Sequence, residues 1–220
     1  ANLNGTRSNE VDVWIPGMGL LYDITENTRL VAGVHKGFAV PGNQPGANPE
    51  ESINYELGVR MLGRRFQLDL IGFFNNYDNL VGVCTNSSGS DCEPGDVFNG
   101  EGVHIPGIEL SLAVDLGNAG QWQFPLMLTW TWMDAEFQTS FDSEFFGDVE
   151  AGDPVPYVPE NQGLLTLGMQ GNQFAAWLSL NHVDSVCTKA SCGPFEQTDS
   201  ATLLDLALNY SINDQWSLYA

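Results

Sequence analysis

Five short polar turns alternate along the chain with longer loops rich in Gly, Asp and Pro, and the segments between them are amphipathic and about ten residues long. The turns are Thr25-Glu26-Asn27-Thr28, Leu62-Gly63-Arg64, Gly117-Asn118-Ala119-Gly120, Gly171-Asn172 and Asn213-Asp214. Between them, segments 29–38, 51–61, 65–77, 101–116, 121–137, 162–170, 173–183 and 201–211 read as strands, with a further strand over 14–24 and another opening after Asn213-Asp214. Antiparallel strands joined in this way place every short turn at one end of a sheet and every long loop at the other.

The faces of these strands alternate. In 108–116, Ile108, Leu110, Leu112, Val114 and Leu116 are interleaved with Glu109, Ser111, Ala113 and Asp115. In 122–132, Trp122, Phe124, Leu126, Leu128, Trp130 and Trp132 share one face, and in 204–210 Leu204, Leu206, Leu208 and Tyr210 stand opposite Asp205, Ala207 and Asn209. A period of two belongs to strands, not helices. The pattern weakens at Met127 and Met133, which fall on the polar face, at Trp177, and at Pro125, which is expected close to a turn or at a bulge because it lacks a ladder donor.

A soluble antiparallel sandwich shows the same alternation. Two features favour a membrane wall. Tyr22, Trp122, Trp132 and Trp216 stand near strand ends, at the level of lipid headgroups, and segments 65–77 and 121–137 exceed the usual strand length of about five or six residues. No run approaches the eighteen apolar residues of a spanning helix, as expected of strands that alternate. The fold class read here is all-β: a transmembrane antiparallel β-barrel, present as a partial barrel of about eleven strands.

With 28 acidic residues against 7 Lys and Arg, the formal net charge is −21, and nucleic acid is excluded as a partner. Acids concentrate in the long loops, as Asp91, Glu93 and Asp96 and as Asp142, Glu144, Asp148, Glu150 and Asp153. Their two readings are a solvated surface and a contact with divalent cations bridging lipopolysaccharide. No regular calcium-loop spacing favours the second.

The four cysteines fall in two local pairs, each inside one long loop, so an oxidising compartment such as the periplasm implies the disulfides Cys84–Cys92 and Cys187–Cys192. Zinc is the alternative, but neither pair has C-x-x-C spacing or a neighbouring His. The sequence breaks off at Trp216-Ser217-Leu218-Tyr219-Ala220 inside an alternating run, and reads as an internal piece of a longer chain.

Three passages in order carry a family resemblance. Phe38-Ala39-Val40-Pro41 is followed by Asn48-Pro49-Glu50-Glu51-Ser52-Ile53-Asn54-Tyr55-Glu56-Leu57-Gly58-Val59-Arg60, then by Phe73-Phe74-Asn75-Asn76-Tyr77-Asp78-Asn79-Leu80-Val81, then by Gly102-Val103-His104-Ile105-Pro106-Gly107-Ile108-Glu109-Leu110. Together they resemble the barrel of TonB-dependent outer-membrane receptors over roughly residues 29–116, most like the branch that handles ferric citrate and other siderophores.

The resemblance implies a barrel of about 22 strands closed by a plug, residues 1–220 being part of that one barrel domain, without the plug and without the final strand or strands. It also implies residence in the bacterial outer membrane, with lipid and lipopolysaccharide around the wall, and active import of an iron chelate using energy from the TonB–ExbB–ExbD complex. The chelate is cargo; no covalently bound cofactor, resident metal or catalytic residue is expected. A passive porin or adhesin-like barrel is the alternative. An enzyme is the weakest class, because His35, His104 and His182 lie on separate strands and no Ser-His-Asp spacing is recognisable.

Under this resemblance Glu56, Arg60 and Glu109 face inward and tie the wall to the plug. Substrate contacts are expected from His35, Lys36, Asn76, Tyr77, Asp78, His104 and His182 near the long loops. Pro49 marks where a loop re-enters a strand, and Gly107 a bulge or a close backbone approach.

Overall fold

The computed structural model describes residues 13–40, 49–84, 93–95, 97–143 and 145–220. Among these the chain is all-β, with fifteen strands: β1 (Gly17–Thr25), β2 (Thr28–Ala39), β3 (Glu50–Leu62), β4 (Phe66–Asp78), β5 (Val81–Val83), β6 (Val97–Asn99), β7 (Val103–Ala119), β8 (Trp122–Met133), β9 (Glu136–Phe137), β10 (Phe141–Ser143), β11 (Gly147–Val149), β12 (Asn161–Gln170), β13 (Phe174–Val183), β14 (Ala201–Asn213) and β15 (Trp216–Tyr219).

Ten of them form an antiparallel meander in the order β1-β2-β3-β4-β7-β8-β12-β13-β14-β15, and β9 pairs back onto β7 as the eleventh strand of the sheet. Each strand pairs with its successor in the wall, which is the wiring of a barrel. All five short turns lie at one end. The long connections 40–49, 79–102, 134–160 and 184–200 lie at the other, here called the upper end.

The register confirms the two faces. One row of directly opposed residues runs Tyr22, Leu30, Val59, Leu70, Leu110, Trp130, Gly163, His182 and Thr202. The row begins near a short turn and ends where β14 leaves a long connection, so the strands are tilted across the wall, as closure into a barrel requires. Nearly every residue of the row is apolar until the upper end. Because the wall is one layer thick, its outer side chains stay open: Leu57, Leu204, Leu206 and Leu218 are each more than 60% exposed. In water such a surface is untenable; in a bilayer it is the contact surface.

Several boundaries differ from the sequence reading. The segment read as one strand over 121–137 breaks at Met133, and β9 turns back so that Phe137 opposes Val103. The strand read as 101–116 runs on to Ala119 through a bulge between Asp115 and Asn118, where Gly117 takes φ +117° and its N–H donates to Asp115 Oδ1 at 2.9 Å. Pro125 opposes Asp115 beside that bulge, where its missing donor costs little. The first strand begins at Gly17, not at residue 14.

The buried apolar residues gather above the wall. Val103, at the upper end of β7, forms one cluster with Ala135, Phe137, Phe146, Val149, Val155 and Ala190 from the long connections, with Tyr77, Leu80, Ile105, Phe141, Phe145 and Val158 packed around it. Phe137 is fully buried, and its ring meets Phe141 and Phe146 edge-on with centroids 5.4 and 5.2 Å away. Such contacts add to burial. The β5–β6 and β10–β11 hairpins flank this cluster, so the described parts of the connections 79–102, 134–160 and 184–200 form a packed cap instead of separate loops.

The disulfide Cys187–Cys192 is present, with Cα atoms 5.4 Å apart. It closes the last long connection, where Cys187 also bridges Gln197 and the Thr188 N–H donates to the Glu196 carbonyl at 2.7 Å. The other expected bridge involves Cys92, which lies outside the described residues, as do Asp91, Asp96 and Glu144; Cys84 itself is buried.

Candidate functional site

Alternation puts one polar row along the inner face: Asp23, Arg29, Arg60, Asp69, Ser111 and Thr129 oppose one another in turn. Arg29 Nε lies 2.7 Å from Asp23 Oδ1, and Arg60 pairs with Asp69. These four charges neutralise each other near the short turns. Arg60 is thus tied to the wall itself.

Higher on the same face the groups change character. Glu56 and Glu109 border one hollow with Ile71, Phe73 and Asn75, and neither carboxylate joins an ion pair among the described residues. The next row up holds His35, Asn54 and Asn75, and the one above that Gly37, Ser52, Tyr77, Val103 and Phe137. Ser52 and Asn54 are buried, and Asn54 Nδ2 donates to Ser52 Oγ at 3.1 Å. The strand sequence permits this closeness at Gly37, where a Cβ would overlap the Ser52 hydroxyl. Tyr77 reaches into the cap, packing against its buried cluster. The result is a polar wall section beneath the packed cap, with two carboxylates at its base and amide, hydroxyl, imidazole and phenol groups above.

Of the residues expected to meet a ligand, His35 and Tyr77 stand on this inner face. Lys36, Asn76, Asp78, His104 and His182 share the opposite face with the apolar residues. Lys36 Nζ pairs with Glu51 Oε2 at 2.7 Å, Asp78 opposes Glu51, and the His104 ring meets Phe74 at a tilt with centroids 5.1 Å apart. Adjacent residues in a strand point to opposite sides, so neither His35 with Lys36 nor Asn76 with Tyr77 can serve one chamber. Parity counted from Glu56 finds Asn54 and Ser52, and counted from Tyr77 finds Asn75 and Phe73; that signal lay in the sequence.

His182 closes a knot at the upper rim of the outer face. Its Nδ1 lies 2.8 Å from Thr202 Oγ1 and its Nε2 3.1 Å from Asp184 Oδ1, while Asn161 Nδ2 donates to Asp184 Oδ2 at 2.8 Å. Donation from Asn161, and then from His182, holds the Asp184 carboxyl below its ordinary range. Among the described residues no cluster of three or more His, Cys, Asp or Glu side chains is arranged to hold a metal.

Charge is divided along the wall. Arg29, Arg60, Arg64 and Arg65 lie near the short turns. The described upper end carries Glu50, Glu51, Asp78, Glu101, Asp134, Glu136, Asp148, Glu150, Asp153 and Asp184 against Lys36 and Lys189. The described upper end of this wall section is therefore net negative.

The whole sequence, residues 1–220, matches the family described as TonB dependent receptor-like, beta-barrel. Among solved structures, the ferric yersiniabactin uptake receptor FyuA from Yersinia pestis is 18% identical with a TM-score of 0.69, over 92% of this chain and 30% of that one. The ferric citrate transporter FecA in its unliganded form is 19% identical with a TM-score of 0.71, over 91% and 31%. The copper transporter OprC is 14% identical with a TM-score of 0.65, over 90% and 31%. The chain thus spans about three tenths of the length of these structures, and at such identities the likeness shows the fold. No match was found among curated proteins.

Proposed function

Because the chain belongs to the TonB-dependent receptor β-barrels of the bacterial outer membrane, we propose that it forms part of the wall of an active import receptor for a metal chelate, with iron as the metal. The observation that carries this reading is the polar section formed by His35, Ser52, Asn54, Asn75 and Tyr77 beneath the packed cap. An open pore needs no such roof. A capture site does, because a large polar chelate must be held out of bulk water before it is passed inward.

In this reading the cargo enters between the cap and a plug, which completes the barrel domain. His35 and Tyr77 meet the cargo, whereas Glu56 and Glu109, outside the ion pairs of the described wall, receive cationic groups of the plug. Energy from TonB–ExbB–ExbD releases the cargo by moving that plug. Tight binding alone shifts no equilibrium toward release, so an external input is required. No catalytic step is part of this function.

FyuA and FecA carry ferric chelates by their descriptions, and OprC copper. The acid-rich upper end disfavours an anionic chelate and favours a neutral or cationic one. The test is uptake of radiolabelled ferric chelates by cells carrying the complete receptor, with and without collapse of the proton gradient. Saturable uptake abolished by collapse is expected. Diffusive uptake that ignores the gradient rejects the receptor and leaves a passive porin.

A further inference from the structure

The loop closed by the disulfide Cys187–Cys192 is seated in the cap. Between the two cysteines, Ala190 is 1% exposed and belongs to the cluster of Val103, Phe137, Phe146 and Val149. Its N–H donates to the Phe146 carbonyl at 3.3 Å, and the Cys187 carbonyl accepts the Tyr157 N–H at 2.9 Å. Both bonds join connection 184–200 to connection 134–160. Cys192 takes φ +35°, a left-handed backbone that residues with a Cβ seldom adopt. The bond to Cys187 and the Cys192 N–H bond to the Lys189 carbonyl at 3.3 Å hold it there. One methyl group buries too little surface to fix a loop, so closure of this short ring, which limits where Ala190 can go, is needed to keep it seated.

From this seating we infer that Cys187–Cys192 is a thiol-sensitive latch on the cap. Closed, it holds connection 184–200 against 134–160; opened, it lets Ala190 leave and the two connections part. The opening agent is an external dithiol. Its thiolate attacks Cys187 Sγ, the S–S bond breaks, and Cys192 leaves as a thiolate that takes a proton from solvent. The agent's second thiol then displaces Cys187 from the mixed disulfide, so two electrons pass to the protein and the agent becomes a disulfide. Cys192 is the better leaving group, because Gln197 Nε2 donates to its sulfur at 3.2 Å and stabilises the thiolate. Tyr77 packs against the same cluster, so opening the latch uncovers the polar section beneath; that this controls cargo access rests on the function proposed above.

Amide exchange of the complete receptor in detergent, without cargo, tests the latch independently of that function. Dithiothreitol is expected to speed exchange about tenfold at Ala190, Tyr157 and Val155 and to leave β12 and β13 unchanged. Val155, whose N–H bonds to the Ala135 carbonyl inside 134–160, reports on the cap beyond the closed loop. Cys187→Ser combined with Cys192→Ser is expected to exchange like the reduced wild type and to ignore dithiothreitol. Should that variant fail to assemble, Ala190→Asp, which cannot seat in the apolar cluster, is expected to show the same acceleration with the bridge intact. Acceleration confined to 187–192 overturns the latch, and so does a dithiothreitol effect at Tyr157 that persists in the double variant. Uptake that ignores the proton gradient rejects the receptor function and leaves this result standing.

Discussion

The ring of Phe73 lies across the backbone of Gly107, its partner in the β4–β7 register, so that a Cβ at position 107 would overlap the ring and stand 2.7 Å from the Trp132 carbonyl oxygen. The inner face is filled here by an aromatic ring borrowed from the neighbouring strand, and glycine leaves the space.

Gly107→Val in the complete receptor is therefore expected to cost about 1–3 kcal/mol, the range for overpacking. Phe73→Ala in the same chain should recover part of it, because the Trp132 carbonyl contact remains. Heat-modified mobility on gels reads the folded fraction. A Gly107→Val receptor as heat-resistant as wild type would show that the ring moves freely aside.

The cap can be separated from the wall in the same way. Phe137→Ala removes a fully buried ring held between Phe141 and Phe146, at a cost of about 3–5 kcal/mol to that unit. Amide exchange should accelerate across 134–160 and leave β12 and β13 unchanged. Uniform acceleration along both would mean that cap and wall unfold together.

The wall was legible because a buried or lipid-facing strand repeats every two residues, and Leu110 or Leu206 announces its side without a partner. The register of a bulge is not written that way. Gly117 and Asn118 look like a turn, yet the chain continues to Ala119 because Asp115 accepts the Gly117 N–H and absorbs the extra residue. The cap was invisible for a different reason. Val103 comes from the upper end of β7 and Phe146 and Ala190 from two connections without a period, and they meet only through tertiary packing. The faces of the candidate residues were half legible, since parity places Tyr77 and His35 on the inner side and their sequence neighbours Asn76 and Lys36 on the other.

Asp184 gives a pH prediction with a definite sign. Its carboxyl is lowered from 3.8 in the folded protein by Asn161 and His182. A depressed carboxylate contributes fully above its unfolded value and loses that contribution as pH falls through the lower folded value. Ordering of the disulfide-closed connection 184–200 should hold down to about pH 4 and loosen in more acidic solution, as read by amide exchange. Asp184→Asn should flatten that acid limb, whereas an acid limb unchanged in the variant would place the titrating group elsewhere.

Asn75 and Asn76 offer the sharpest test of which face meets the cargo, because they are chemically identical neighbours on opposite sides of β4. Asn75 stands with Asn54 above the Glu56–Glu109 hollow; Asn76 stands with Ile53 and His104 on the outer face. An amide that hydrogen-bonds a cargo group, once replaced by Leu, leaves that group unpaired, at a cost of about 1–3 kcal/mol, or roughly tenfold in affinity. Asn75→Leu is expected to weaken chelate binding by that factor, and Asn76→Leu to leave it within about twofold while the receptor assembles normally. Binding is read by titration of the purified receptor with the chelate that competes best for uptake. If Asn76→Leu proves the damaging change, the inner and outer faces of β4 are reversed, and with them the placement of His35, Tyr77 and the whole polar section beneath the cap.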